Sequence, residues 1–384
     1  MRHLRRVLVV AGCLLALRAA QLSAVTASDA DALARLHALE RRFAREQLPG
    51  AGPDDVFSDE WRLVTVSATA LAATNLVFRH ALPRDQALRL VEQLADRALS
   101  PEARAFDTRA HGHDALETLA GEAGHAGYLG HLGLVLGAEC ALGGTRHRAT
   151  LERVGEALAR RHQAAESGLI ETYPGLTWIP DNAASLAAVA LAERCAGADA
   201  PVARAVLARW PKDRATGLFL FRPEGGVRAS GAAWNGLYLP LVEPRVASEQ
   251  DALARQAFEV ELPLGATAWR EYPRGVDGEG DVDSGPLVFG LSPAGTGFAM
   301  AGAAARGDRA TLERLLRTAE AAGITVPFGG RNYLLAPLVG DATVLAARTA
   351  TPWAAHAAEC PGMVGGDASL ALDDGGGVAG RVSR

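Results

Sequence analysis

The stretch 271–290, EYPRGVDGEGDVDSGPLVFG, sets Asp277, Glu279, Asp281 and Asp283 among glycines and then turns apolar at once. A further carboxylate, Asp181, follows the aromatic run YPGLTWIP that starts at Tyr173. Two carboxyls can do acid/base work when their surroundings differ. One in an apolar cleft stays protonated and serves as acid, while one held by hydrogen bonds stays ionised and serves as base or nucleophile. Asp181 with Asp281 or Asp283 is the candidate pair, expected to face one another across a cleft. Trp61, Trp178, Trp234 and Tyr173 are candidate walls that would stack on a sugar ring or enclose an apolar ligand. His125, with Tyr128 close by, offers proton abstraction as in an elimination. Asn235 and Asn332 complete the candidate binding set.

Each of these residues also has a plainer use. Asp181 and Asp283 are good helix N-caps, with Pro180 and Pro286 where helix starts tolerate proline. His125 and His131 suit a core, Tyr173 and Trp178 would plug a mouth, and Asp277 and Glu279 belong to a solvated loop. The run His111-Gly112-His113-Asp114 could hold a metal, but it lies on an expected loop with no cysteine near it, so a solvated turn is the expectation and no metal or cofactor is assigned.

The elements that must position these residues fall into two classes. One is amphipathic and charged: 29–47, 84–98, 146–166, 200–209, 248–260 and 308–322. In the first of them Leu33, Leu36, Leu39 and Phe43 recur at three- and four-residue spacing between charges, giving one buried stripe and one wet face. The other class is apolar nearly all round and rich in small residues: 60–78, 124–142, 181–195, 230–243, 284–305 and 333–348. Helices without a polar face are buried on all sides. The classes alternate, six of each, and this predicts an all-α fold, a six-hairpin α/α toroid of twelve helices, six inner and six outer. The longer connections, 99–123, 167–180, 211–229 and 261–283, lead into the inner helices, so a site is expected at the rim where those helices begin. Cys140 and Cys195 fall near the C-terminal ends of neighbouring inner helices, and a disulfide is open to them if their Cα atoms lie within about 7 Å.

Bulk composition narrows the function. The chain has 384 residues, 49% of them hydrophobic, and a net charge of -5. No basic stripe runs through it and Lys212 is the single lysine, so no nucleic-acid partner is expected. GxSxG, GxxxxGK[ST], HExxH and CxxC are all missing from the sequence. At the N-terminus, arginines precede an apolar run from Val7 to Leu17, too short to span a bilayer as it stands. Residues 1–27 read as a signal peptide cleaved after Val25-Thr26-Ala27, with a lipobox ending at Cys13 or an uncleaved membrane anchor as the alternatives. Each puts the body, 28–355, outside the cytoplasm, periplasmic or extracellular, with membrane contact only through this segment. The Gly-rich tail 356–384 is expected to be disordered.

Three stretches carry a resemblance: GHAGYLGHLGLVLG at 124–137, YPGLTWIPDNAASLAAVAL at 173–191 and DVDSGPLVFGLSPAGTGFAMAGA at 281–303. They resemble the six-hairpin glycosidase-like superfamily, and within it the linalool dehydratase/isomerase type. The superfamily implies hydrolases and lyases of carbohydrates. The dehydratase/isomerase type implies proton transfer by an inner-helix histidine, matched by His125, and by a cysteine pair at the start of the third inner helix. Glu171 to Asn182 contains no cysteine, so the expectation shifts to carboxylate chemistry at Asp181. The expected function is an exported acid/base enzyme, of hydrolase or lyase type, on a carbohydrate or small alcohol. The alternative is a catalytically silent envelope protein of the same fold, its mouth plugged by Trp178 or by loop 261–283.

Overall fold

The computed structural model describes residues 18–45, 56–326 and 331–353. The chain is predominantly helical. Its helices are α1 (Asp29–Arg45), α2 (Val56–Phe78), α3 (Arg84–Ala98), α4 (Pro101–His111), α5 (Ala126–Ala141), α6 (Arg148–Ala164), α7 (Ile179–Cys195), α8 (Pro201–Leu207), α9 (Ala229–Tyr238), α10 (Pro244–Phe258), α11 (Pro293–Phe298), α12 (Met300–Ala305), α13 (Arg309–Gly323) and α14 (Leu338–Thr349). Two small antiparallel pairs interrupt them, β1 (Glu259–Leu262) with β2 (Ala266–Trp269) and β3 (Thr325–Val326) with β4 (Asn332–Tyr333).

Charge patterning decides which helices are wrapped. In α1, Ala32, Leu36, Leu39 and Phe43 are buried on one stripe. In α5 every residue is buried. The succession of packing is α2 on α5, α5 on α7, α7 on α9, α9 on α11, α11 and α12 on α14, and α14 on α2. The amphipathic α3, α6, α8, α10 and α13 each pack against a neighbouring apolar helix. One helical span, Asp59–Phe78, is long and apolar enough to cross a membrane, but 89% of it is buried inside the protein, as befits a core helix.

Small residues set the closest approach. A Cβ built on Gly133 would stand 2.4 Å from the Ala188 Cβ, one on Gly137 2.7 Å from the Leu191 Cβ, and one on Gly130 2.7 Å from the Ser185 amide nitrogen. These three positions, a helical turn apart, form the seam between α5 and α7, and a side chain at any of them would push the helices apart. Cys140 and Cys195 close the far end of that seam as a disulfide, with Cα atoms 6.4 Å apart.

Several boundaries differ from the expected ones. The fifth apolar segment, read as one helix over 284–305, begins its helix only at Pro293, where Ser292 accepts from the Gly295 amide. Gly285, Phe289 and Gly290 all have positive φ, which breaks the segment into turns. The sixth begins at Leu338 rather than 333, because Asn332 and Tyr333 are taken by β4. Helix α4 lies within 99–123, read as a loop, with Ser100 capping it through the Ala103 amide. Of the expected leader 1–27, residues 1–17 lie outside the described residues. Residues 18–27 pack on the body, where Arg18 donates to the Glu320 carbonyl and the Ala27 amide donates to Glu313. The tail 356–384 lies outside the described residues.

Candidate active site

A recess opens where α2, α7 and α9 begin, lined by the carboxyls of Glu60, Asp181 and Asp283 and by Trp61, Trp178 and Trp234, with Tyr173, Phe221 and Phe298 completing the aromatic wall. It is narrow, with about 50 Å³ open to the centre of a water-sized sphere. Each carboxyl arrives on a different piece of chain. Glu60 sits in the first turns of α2. Asp181 sits in the first turn of α7, just after Pro180, whose fixed φ and missing amide hydrogen suit a helix start. Asp283 is carried by the loop before α11.

Neither aspartate is a cap. Asp181 accepts a hydrogen bond from the Thr172 hydroxyl at 2.9 Å, and α7 starts at Trp178 without a side-chain cap. Asp283 precedes its helix by ten residues, and Ser292 does the capping there. None of the three carboxyls makes an ion pair among the described residues. Glu60 accepts instead from the Tyr173 hydroxyl at 2.7 Å.

Apolar walls without an ion pair raise all three carboxyls above the usual carboxylate range. Burial pushes Asp181 up to about 7, with the neighbouring Asp283 charge adding to it and the Thr172 hydroxyl opposing it. Burial pushes Asp283 up to about 6, helped by Asp281 and opposed by Arg228. Glu60 lies well above the usual carboxylate range, through burial first and then through Asp181, with the Tyr173 hydroxyl pulling the other way. The rings interlock edge to face. Trp61 meets Trp234 with centroids 5.7 Å apart, Trp234 meets Phe298 at 4.7 Å, and Tyr173 meets Trp178 at 6.1 Å.

The remaining expected site residues lie elsewhere. Asp281 is not a partner carboxylate of the recess. Arg228 clasps both its oxygens at 2.5 and 2.7 Å, and that cation, with the Ser284 amide, holds it below the usual range despite partial burial. His125 lies outside the lining because Asp107 holds its Nδ1 at 2.6 Å in the interior. Tyr128 is fully buried and donates to the Ala98 carbonyl, so it is a core residue. Asn235 is buried in α9 but does not line the recess. Asn332 is engaged in β4 opposite Val326. His131 is a core histidine bonded to Ser67 at 2.7 Å, and burial pushes it down to about 3.

Glu60, the first residue of the apolar segment 60–78, was not among the candidates. The signal available was an acid beside Trp61 in an otherwise apolar run. Glu271 was given no role either. It is wholly buried and binds the Ser230 amide, the Ser230 hydroxyl and Arg228, which secures the start of α9. No protein-family model matches the chain, and no curated protein matches it in sequence.

Proposed function

We propose that this chain is an α/α toroid whose recess is the active site of an acid/base enzyme acting on a small hydroxylated substrate, a single sugar ring or an alcohol, by hydrolysis or elimination. The observation that carries the reading is the trio Glu60, Asp181 and Asp283. These are three carboxyls with no ion pair among the described residues, raised by their surroundings, on the wall of one aromatic recess. Perturbed carboxyls gathered in a cleft mark functional sites more often than structural ones.

The roles follow from the order of the pKa values. Asp181, at about 7, carries a proton near neutrality and gives it to the leaving oxygen as the C–O bond breaks. Asp283, at about 6, is mostly ionised at that pH and takes a proton, from water in a hydrolysis or from the adjacent carbon in an elimination. Glu60 stays protonated beside Tyr173 and orients the substrate hydroxyls.

The toroid is supported by the packing succession, which runs from α2 through α5, α7, α9, α11 and α12 to α14 and returns to α2. Export is supported by the Cys140–Cys195 bridge, since disulfides persist in oxidising compartments. The decisive experiment incubates the purified chain with a panel of glycosides and small alcohols and follows products by NMR. Turnover that vanishes in Asp181→Asn is the expected result. No turnover of any panel member, or turnover unchanged in Asp181→Asn, overturns the reading and leaves the silent binding protein in its place.

A further inference from the structure

We infer that Asp107, His111 and His125, with His113 on the solvent side, form a binding site for a divalent transition-metal ion, of which Zn²⁺ suits the ligands best. A nitrogen or oxygen of each of the first three side chains lies within 4.8 Å of the others. Helix α4 supplies Asp107 and His111 one turn apart, so both point to one face. His125 comes from the residue that precedes α5, held in the left-handed region at φ 50°. Gly112, at φ 78°, ends α4 and turns the chain so that the His113 ring returns to within 5.1 Å of the His125 ring.

The hydrogen bonds fix what each ring offers. His125 Nδ1 lies 2.6 Å from a carboxylate oxygen of Asp107, so it is the protonated nitrogen, and His125 Nε2 carries a lone pair. His111 Nε2 lies 3.1 Å from the Thr172 carbonyl, which can only accept, so His111 Nδ1 carries the lone pair. Thr118 spends its hydroxyl proton on the Asp114 carbonyl, so His113 Nδ1 must donate to Thr118, and His113 Nε2 is left bare. Two imidazoles thus face one carboxylate, His125 Nδ1 at 2.6 Å and His111 Nε2 at 3.7 Å from its oxygens, and an ion bound among the three displaces the protons these nitrogens carry.

Two atoms of the cluster, His125 Nε2 and Asp107 Oδ1, have no hydrogen-bond partner among the described residues, and His111 Nε2 stands 3.7 Å from the latter. Both residues are fully buried, and buried polar atoms of native proteins are seldom left unbonded. The rings of His111 and His125 stack with centroids 3.8 Å apart, which disfavours two imidazolium charges and suits one ion shared by neutral rings. Two or three imidazoles with one carboxylate suit Zn²⁺ and its first-row neighbours rather than Ca²⁺ or Mg²⁺, which prefer oxygen. The exposed His113 gives a path in from solvent. An ion here would anchor α4 to α5 and, through His111 and the Thr172 carbonyl, steady the segment that carries Tyr173.

The test uses the whole chain, dialysed against EDTA and titrated with Zn²⁺ by calorimetry. Crystals grown with Zn²⁺ are measured at the zinc absorption edge. One ion per chain with submicromolar affinity is expected, together with an anomalous peak between Asp107, His111 and His125. His111→Gln should weaken binding about tenfold or more, and Asp107→Asn likewise. A peak elsewhere, no peak, or variants that bind as the wild type does would overturn the site. The diffraction result stands whether or not the variants fold. None of these readouts uses activity, so the acid/base reading of the recess can fail without affecting this one.

Discussion

Asp281 and Asp283 are two residues apart on one loop and have opposite fates. Asp281 keeps 41% of its side chain in solvent and lies in the fork of Arg228, so it is an ordinary carboxylate with a lowered pKa. Asp283 turns to the recess, meets aromatic walls and feels Asp281 as a second negative charge, so it is raised to about 6. The same contrast separates Glu271 from Glu60. Glu271 is wholly buried yet satisfied by Arg228 and Ser230, whereas Glu60 has a phenol for a partner and lies well above the usual range. Burial alone does not make an acid reactive. Burial without an ion pair does, and the chain sets one ion-paired cluster beside one recess whose three carboxyls have no ion pair among the described residues, with Arg228 and Arg222 near enough only to moderate Asp283.

The largest effect should come from Asp181→Asn. The variant keeps its shape and an oxygen to accept from the Thr172 hydroxyl, but it has no proton to give. General acid catalysis is worth about 10²–10⁴ in rate, so kcat on any substrate found should fall about a thousandfold with KM little changed. A fall confined to KM would make Asp181 a binding residue and would break the contrast drawn above.

Removing the cation tests the other side. Arg228→Met leaves Glu271 buried with only the Ser230 donors, and breaking a buried pair by removing one partner costs about 3 kcal/mol. Urea unfolding would read that loss. Asp281→Asn, on the exposed end of the same guanidinium, should cost no more than about 1 kcal/mol. Arg228 also holds Asp283 down, so the Arg228→Met variant should move the Asp283 titration to higher pH. Equal losses from the two variants would mean that solvent exposure does not separate the two carboxylates.

Stability against pH sharpens the comparison further. A carboxyl whose pKa is raised on folding binds more protons in the native than in the unfolded chain. Its contribution is therefore complete below the unfolded value and is lost as pH rises through the folded one. For Asp181 that window runs from its ordinary 3.8 to about 7. Asp181→Asn cannot titrate, so wild type and variant should match near pH 4, and the variant should be the more stable above pH 8. Allowing for solvent in the recess, the gap should be about 2 kcal/mol. Paired carboxylates such as Asp281 slope the other way below pH 4. The difference between the two unfolding curves removes them. A flat difference would mean that Asp181 is not raised.

What the sequence made legible follows the same physics. The helical character was plain because Leu33, Leu36, Leu39 and Phe43 repeat at helical spacing and because 124–142 lacks a polar face. Asp181 was legible as an acid at a helix start beside aromatic residues, whereas Asp283 was chosen for a helix start that lies ten residues further on, at Pro293. Asp281 could not be told from Asp283, since what divides them is Arg228, 53 residues away in sequence. His125 read as a site residue because it opens an apolar helix, but its role is set by Asp107 on α4, inside a stretch taken for a loop. The fifth helix was drawn too long because 284–292 is apolar, while its turns come from positive φ at Gly285, Phe289 and Gly290. Local pattern reports burial and periodicity. It does not report which distant cation reaches which carboxyl.

Tyr173→Phe is the subtlest test of the recess. Tyr173 gives Glu60 its one hydrogen bond among the described residues, at 2.7 Å, and in doing so opposes the burial and the negative neighbours that raise Glu60. Phenylalanine keeps the ring against Trp178 and removes only that donor. A hydrogen bond of this kind is worth about 1 kcal/mol, so kcat/KM should fall about fivefold. The direction of the accompanying shift carries the information. With its donor gone, Glu60 should hold its proton to still higher pH, and any limb of the activity profile that reports Glu60 should move to the alkaline side. If the rate falls and the profile stays where it was, Tyr173 acts as a wall of the recess, and the proton on Glu60 is held by burial and its neighbours alone.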